Sequence, residues 1–158
     1  MRILVLSDTH GGIIDTYLEK INADDAFDMF IHCGDCCKDV PAISEAINVK
    51  EYINVSGNCD RGTGIADIEQ VTLEGKKIIV THGHNFEVKH YMDELKEYAE
   101  SHGADIVLFG HTHEAYSKYE NGILYFNPGS ACIPTYGKFS YGIITVKDKE
   151  VCDEIVEW

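Results

Sequence analysis

Positive charge is what this sequence has least of. Lysine and arginine number 13 against 27 acidic residues, a formal net charge of −14, and the only arginines are Arg2 and Arg61. That balance leaves no electrostatic footprint for duplex nucleic acid or an anionic membrane surface. Long apolar runs are missing too; none approaches the roughly 18 residues that a membrane span needs. The first ten residues read as a strand running into polar groups, not as an export signal. The cysteines, Cys33, Cys36, Cys37, Cys59, Cys132 and Cys152, are therefore expected as reduced thiols in a cytoplasmic protein. Cys33 and Cys36 have the spacing of half a zinc site. No second such pair exists and Cys33 falls in an apolar strand pattern, which argues against a thiolate zinc site. There is no repeat, low-complexity tract or linker, so residues 1–158 are expected to form one domain.

What is present is a regular alternation. Residues 2–6, 28–33 and 52–55 are compact apolar runs that read as strands, separated by helical spacing over 14–21 and 40–47. Strand, helix, strand, helix, strand predicts a parallel sheet covered by helices. Residues 68–73 and 77–81 read as a hairpin joined by Glu74-Gly75-Lys76. The clearest helical pattern covers 91–102, with Gly103 placed to end it. A strand over 104–109 follows, then short strands over 115–119, 123–126, 140–146 and 151–156. Asn121-Gly122 and 147–149 are hairpin turns between them. Parallel units in front and hairpins behind predict an α/β fold, a two-sheet β-sandwich flanked by helices. The late strands, with Trp158, offer an apolar patch for homo-oligomer formation.

The strands end on chemistry. Gly110-His111-Thr112-His113 follows the strand over 104–109; in extended chain the two imidazoles would project to one side, roughly 6–7 Å apart. That suits two ligands for one ion or one ligand for each of two adjacent ions. Asp8 and His10, Asp35, Asn58, and His82 with His84 stand at the ends of other strands. Turns favour Asp and Asn by themselves, but not histidines at three strand ends. In open α/β sheets functional groups gather at such ends. Imidazole, carboxylate and carboxamide without thiolate suit manganese, with iron, zinc, nickel and cobalt as alternatives, rather than calcium. Seven such groups exceed what one ion needs if open positions are to remain, and suit two divalent ions about 3.5–4 Å apart.

The ordered motifs Asp8-Thr9-His10, Gly34-Asp35, Gly57-Asn58-Cys59-Asp60, Thr81-His82-Gly83-His84 and Gly110-His111-Thr112-His113, with 127–130 (Asn-Pro-Gly-Ser) behind them, resemble the calcineurin-like metallophosphoesterase superfamily. The resemblance covers nearly the whole chain and is greatest to the small YfcE-type phosphodiesterases. It implies the four-layer fold of that family, a β-sandwich between helical layers. It also implies that Asp8, His10, Asp35 and His113 hold one metal and Asp35, Asn58, His82 and His111 the other, Asp35 bridging. Two divalent ions and two carboxylates leave a centre of about +2, able to draw a small phosphoester to an acidic chain.

The expected reaction is hydrolysis of a phosphodiester by a metal-bridging hydroxide. Asp60, Arg61 and His84 are further candidates for work at the reacting centre, with Asp35 and Asn58, and Arg61 could clamp phosphate. His32 reads as a packed core histidine, His90 and His102 as solvent residues, and 127–130 as a loop beside the site. Many superfamily members carry His after Gly-Asn; Cys59 stands there, an uncommon general acid. Two other functions compete: a phosphomonoesterase or phosphoprotein phosphatase, disfavoured by the shortage of basic residues, and a non-catalytic scaffold such as the retromer subunit of this fold, disfavoured because every ligand position is filled.

Overall fold

The computed structural model describes residues 1–12, 15–22 and 26–157. Ile14, the expected start of the first helix, and Trp158 lie outside them. The elements are β1 (Arg2–Leu6), α1 (Asp15–Asn22), β2 (Met29–His32), α2 (Val40–Ala46), β3 (Tyr52–Asn54), β4 (Ile68–Leu73), β5 (Lys76–Thr81), α3 (Asp93–Ser101), β6 (Ile106–Leu108), β7 (Ala115–Glu120), β8 (Ile123–Pro128), β9 (Ser140–Lys147) and β10 (Glu150–Glu157). None of the helices described is long and apolar enough to cross a membrane.

The two-residue period of the strands builds the layers. In β1, Ile3 and Val5 face a core shared with Ile78, Val80, Ile106, Leu108, Leu124 and Phe126 of the other sheet. Leu4 and Leu6 point the opposite way, onto Tyr17 and Ile21 of α1 and Val40 and Ile43 of α2. In the second sheet Ile79, Val107, Phe109 and Tyr125 turn outward onto Leu95 and Ala99 of α3. The result is helix, sheet, sheet, helix, as expected. Each fully buried aliphatic side chain in these cores contributes about 1.5–3 kcal/mol.

The first sheet runs β10-β9-β1-β2-β3 and the second β4-β5-β6-β8-β7. Strands β1, β2 and β3 are parallel, as the front of the sequence predicts. The rear half is not made of hairpins alone: β6 pairs parallel with both β5 and β8. The cause is the β7–β8 hairpin, which sets β8 rather than β7 against β6. Three two-residue turns with positive φ at both positions close the hairpins: Glu74-Gly75, Asn121-Gly122 and Asp148-Lys149, the geometry that matches strand twist.

One expectation at the periphery changes. His102 is half-buried, stacked on Tyr98 at 4.0 Å between centroids, with Nδ1 donating to the Tyr98 carbonyl at 2.8 Å; it closes the end of α3 rather than facing solvent. In β10, Val151 and Ile155 pack on the inter-sheet core and Val156 on the α1–α2 side. The Ser117 hydroxyl also donates to the Asp153 carboxylate, joining the edges of the two sheets. The apolar side chains Val151, Ile155 and Val156 of this strand thus pack within the fold.

Candidate metal centre

Loops after β1, β2, β3, β5 and β6 meet at one edge of the sandwich. Asp8, His10, Asp35, His111 and His113 all have φ between 46° and 68°. Non-glycine residues avoid this region, and it persists only where surroundings over-determine it. Here they do. The Asp8 N–H donates to the Gly34 carbonyl at 3.0 Å. The Asp39 carboxylate accepts from the Thr9 hydroxyl at 2.8 Å and the Gly11 N–H at 2.9 Å. The Ser130 hydroxyl donates to the Asp8 carbonyl at 3.0 Å, and the Asn127 amide to the Gly110 carbonyl at 2.9 Å. Two glycines permit the convergence. A Cβ at Gly110 would lie 1.9 Å from Ser7 Oγ, and one at Gly57 would lie 2.1 Å from Asp35 Oδ1, so any side chain there would push the loops apart.

The two carboxylates divide their oxygens. Asp8 Oδ2 accepts from the Ser7 hydroxyl at 2.6 Å and the His111 N–H at 3.1 Å. Asp8 Oδ1 is buried and has no aligned donor, yet three imidazole nitrogens surround it: His113 Nε2 at 3.0 Å, His10 Nε2 at 3.9 Å and His82 Nε2 at 3.9 Å. Asp35 Oδ1 accepts from the Cys59 N–H at 2.9 Å and faces His82 Nε2 at 3.5 Å; Asp35 Oδ2 faces His10 Nε2 at 3.7 Å. His82 Nδ1 lies 2.8 Å from the Cys33 carbonyl, and His113 Nδ1 contacts the Ile133 carbonyl. A carbonyl can only accept, so both rings donate from Nδ1 and turn Nε2 inward, the arrangement that orients metal-binding imidazoles.

Ring nitrogens also crowd one another, His10 against His113 at 3.4 Å and His111 against His82 at 3.2 Å. Such pairs need a proton or a cation between them. Ligand atoms of Asp8, His10, Asp35 and His113 lie within 4.8 Å of one another. An orphaned carboxylate oxygen, converging imidazoles and no thiolate fit a divalent transition-metal ion.

Burial works to raise the Asp8 carboxyl, but close His113, the charge of His82 and the Ser7 hydroxyl hold it below the ordinary value. Burial, then His82 and Lys89, bring His111 down to about 4, so this ring is neutral and has a lone pair to give. His113 is raised by its contact with Asp8.

Asp8, His10, Asp35, His82, His111 and His113 therefore converge. His111 and His113 do not project to one side, because the left-handed backbone at both replaces the extended chain that rule assumes: His111 turns to His82 and His113 to Asp8 and His10. Asn58 is exposed on the loop that clasps Asp35, its amide 3.5 Å from Cys59 Sγ. His84 lies beside His82 and His111, with centroids 5.4 and 6.1 Å away, and its Nδ1 is buried without a partner. Asn58, His84 and Arg61 border a polar recess of about 370 Å³.

Asp60, a candidate for the reacting centre, has its carboxylate taken up by the neighbouring loops. Its Oδ1 accepts from the N–H groups of Cys36 and Cys37, each at 2.9 Å, and its Oδ2 from the Gly57 N–H at 2.9 Å and the Cys37 thiol at 3.1 Å. His32 is buried, with Nδ1 accepting from the Gly34 N–H at 3.2 Å, and burial pushes it down to about 4, a packed histidine as expected. Ser7, Asp39 and Lys89 had gone unnoticed in the sequence; for Ser7 the adjacency to Asp8 was the available signal.

The pattern for the calcineurin-like phosphoesterase superfamily domain matches residues 1–149. The chain belongs to this superfamily. Bacillus subtilis YsnB, a probable metallophosphoesterase, is 35% identical over 94% of this chain and 86% of its own length. Phosphodiesterase MJ0936 of Methanocaldococcus jannaschii is 27% identical over 99% of this chain and all of its own. Wild-type Vps29 of Entamoeba histolytica, solved in complex with zinc, has a TM-score of 0.81 over 99% of each chain; at 24% identity it speaks for the fold alone. Membership of this superfamily, whose relatives are named metallophosphoesterases and phosphodiesterases, accords with a cluster of Asp and His that could hold a metal ion.

Proposed function

We propose that the chain hydrolyses phosphodiesters at two divalent ions, one held by Asp8, His10, Asp35 and His113 and the other by Asp35, Asn58, His82 and His111. The observation that supports this best is the Asp35 carboxylate, with Oδ2 toward His10 and Oδ1 toward His82. Manganese is the first choice, with iron, zinc, nickel and cobalt as alternatives. Bound there, the ions would lower the pKa of water toward neutrality and polarise phosphoryl oxygens. Asp8 and Asp35 offset only part of their charge, which draws an anion to an otherwise acidic chain. Asn58 and His84 face the reacting group from the rim, and Arg61 offers paired donors to a phosphoryl oxygen. That the relative MJ0936 is named a phosphodiesterase supports the diester reading over the monoester one.

The test is hydrolysis of bis-p-nitrophenyl phosphate against p-nitrophenyl phosphate with added Mn²⁺. The diester is expected to turn over faster. Asn58→Ala and His82→Ala are each expected to abolish activity while the circular dichroism spectrum is unchanged. Activity surviving both would remove the second ion from the proposal, and no turnover of either ester would favour a scaffold.

A second expectation concerns the leaving group. Burial and the neighbouring Asp35 carboxylate push the Cys59 thiol up to about 11, so it is a weak proton donor where a relative carries histidine. Rates along a series of aryl methyl phosphates are expected to fall as the leaving phenol's pKa rises. A flat series would assign an efficient general acid to this site.

A further inference from the structure

A groove of about 690 Å³ opens beside the histidine cluster, sharing no lining residue with the Arg61 recess. It reaches the centre through Thr112, the residue between His111 and His113. Its floor holds Met92 and Tyr116, both half-buried, with Tyr116 edge-on to Phe109 at 6.0 Å. Its rim holds Lys89, Glu114 and Tyr136. The size is that of a small-molecule site.

Three observations say what fits there. The large apolar side chains left exposed are Tyr52, Tyr91, Tyr119, Ile133 and Tyr136 among the described residues, and of these Tyr136 lines the groove, with Tyr91 next in sequence to the lining residues His90 and Met92. Lys89 is exposed, forms no ion pair among the described residues, and lines the groove together with Thr112, the residue between His111 and His113. Glu114 also lines the groove and supplies an acceptor. Aromatic faces, a cation and an acceptor in one groove match an anionic ester with a planar, N–H-bearing arm.

We propose that this groove binds a nucleobase arm of the substrate, stacked between Tyr136 and the Met92–Tyr116 floor, with Lys89 against the phosphate and Glu114 on the base edge. The inference rests on the phosphoesterase reading, which seats the phosphate on the histidine cluster. It makes the substrate class a nucleoside phosphodiester.

Calorimetric titration of the Mn²⁺-loaded chain with adenosine 5′-monophosphate and with ribose 5-phosphate tests it without turnover. The two probes share a phosphate and a sugar and differ in the base. Adenosine monophosphate is expected to bind roughly tenfold more tightly, the value of one stacked base. Tyr136→Ala, at a side chain 77% exposed and so harmless to folding, should erase that difference. Lys89→Ala should weaken both probes alike. Equal affinities, binding of neither, or an unchanged ratio in Tyr136→Ala would overturn the proposal. A chain that prefers adenosine monophosphate yet hydrolyses no diester would keep the groove and lose the reaction, so the two failures are separable.

Discussion

Replacing Asp35 with asparagine is expected to lower diester hydrolysis by at least about a thousandfold, the several kcal/mol that a metal ion supplies to such a reaction. The proposed bridge needs two equivalent anionic oxygens, one aimed at His10 and one at His82. An amide has one oxygen. Whichever way it is turned, its NH₂ faces one histidine group and donates to the lone pair an ion would take. The carboxamide oxygen can still accept from Cys59, and the shapes match, so the fold should persist at this 2% exposed position. Metal analysis of Asp35→Asn should find one ion per chain where the parent holds two. Full activity with two ions would remove Asp35 from the bridging position.

Asp60→Ala is expected to act through the scaffold. It strips the acceptor from three N–H groups, of Cys36, Cys37 and Gly57, and from the Cys37 thiol. Burial opposes the charge on Asp60, but those same donors hold its carboxyl below the ordinary value. Unpaired N–H groups cost about 1–3 kcal/mol each, so a loss of about 3–5 kcal/mol in stability is expected, roughly 10 °C in thermal midpoint. The same contacts tie the loop of Asp35 to the loop of Asn58. Loosening them should weaken Mn²⁺ binding about 10–100-fold. Asp60→Asn should fall between, because its oxygen can serve one pair of donors while its NH₂ faces the other. An Asp60→Ala chain with normal melting and metal affinity but no activity would return Asp60 to the reacting centre.

The strands were legible because each is a short apolar run ending in Gly, Asp or Asn, and most boundaries agree with the structure to within two residues. The order of the second sheet was not legible. Nothing in residues 106–108 records that their parallel partner is β8 rather than β7; that choice is made by the packing of Leu124 and Phe126 into the core between the sheets. The convergence of Asp8, Asp35 and the histidines could be read from motif order. The facing of His111 and His113 could not, since it depends on left-handed backbone held by the Asn127 contacts to Gly110 and Thr112 from far along the chain. The surroundings of Asp60 are illegible for a related reason: an acid beside a proposed ligand looks the same in sequence whether it faces a substrate or three backbone N–H groups. Lys89 was overlooked because a lone lysine after an apolar residue has no local signature.

The first sheet joins the beginning of the chain to its end, with β9 paired against β1 and Ser130 bonded to the Asp8 carbonyl. A chain emerging from the ribosome therefore displays the edge of β1 unpaired until residue 147 has been made. Asp8 and His10 are made early, but their loop is fully held only once Ser130 and β9 are in place, so the proposed cation site is expected to form after those later residues have been made.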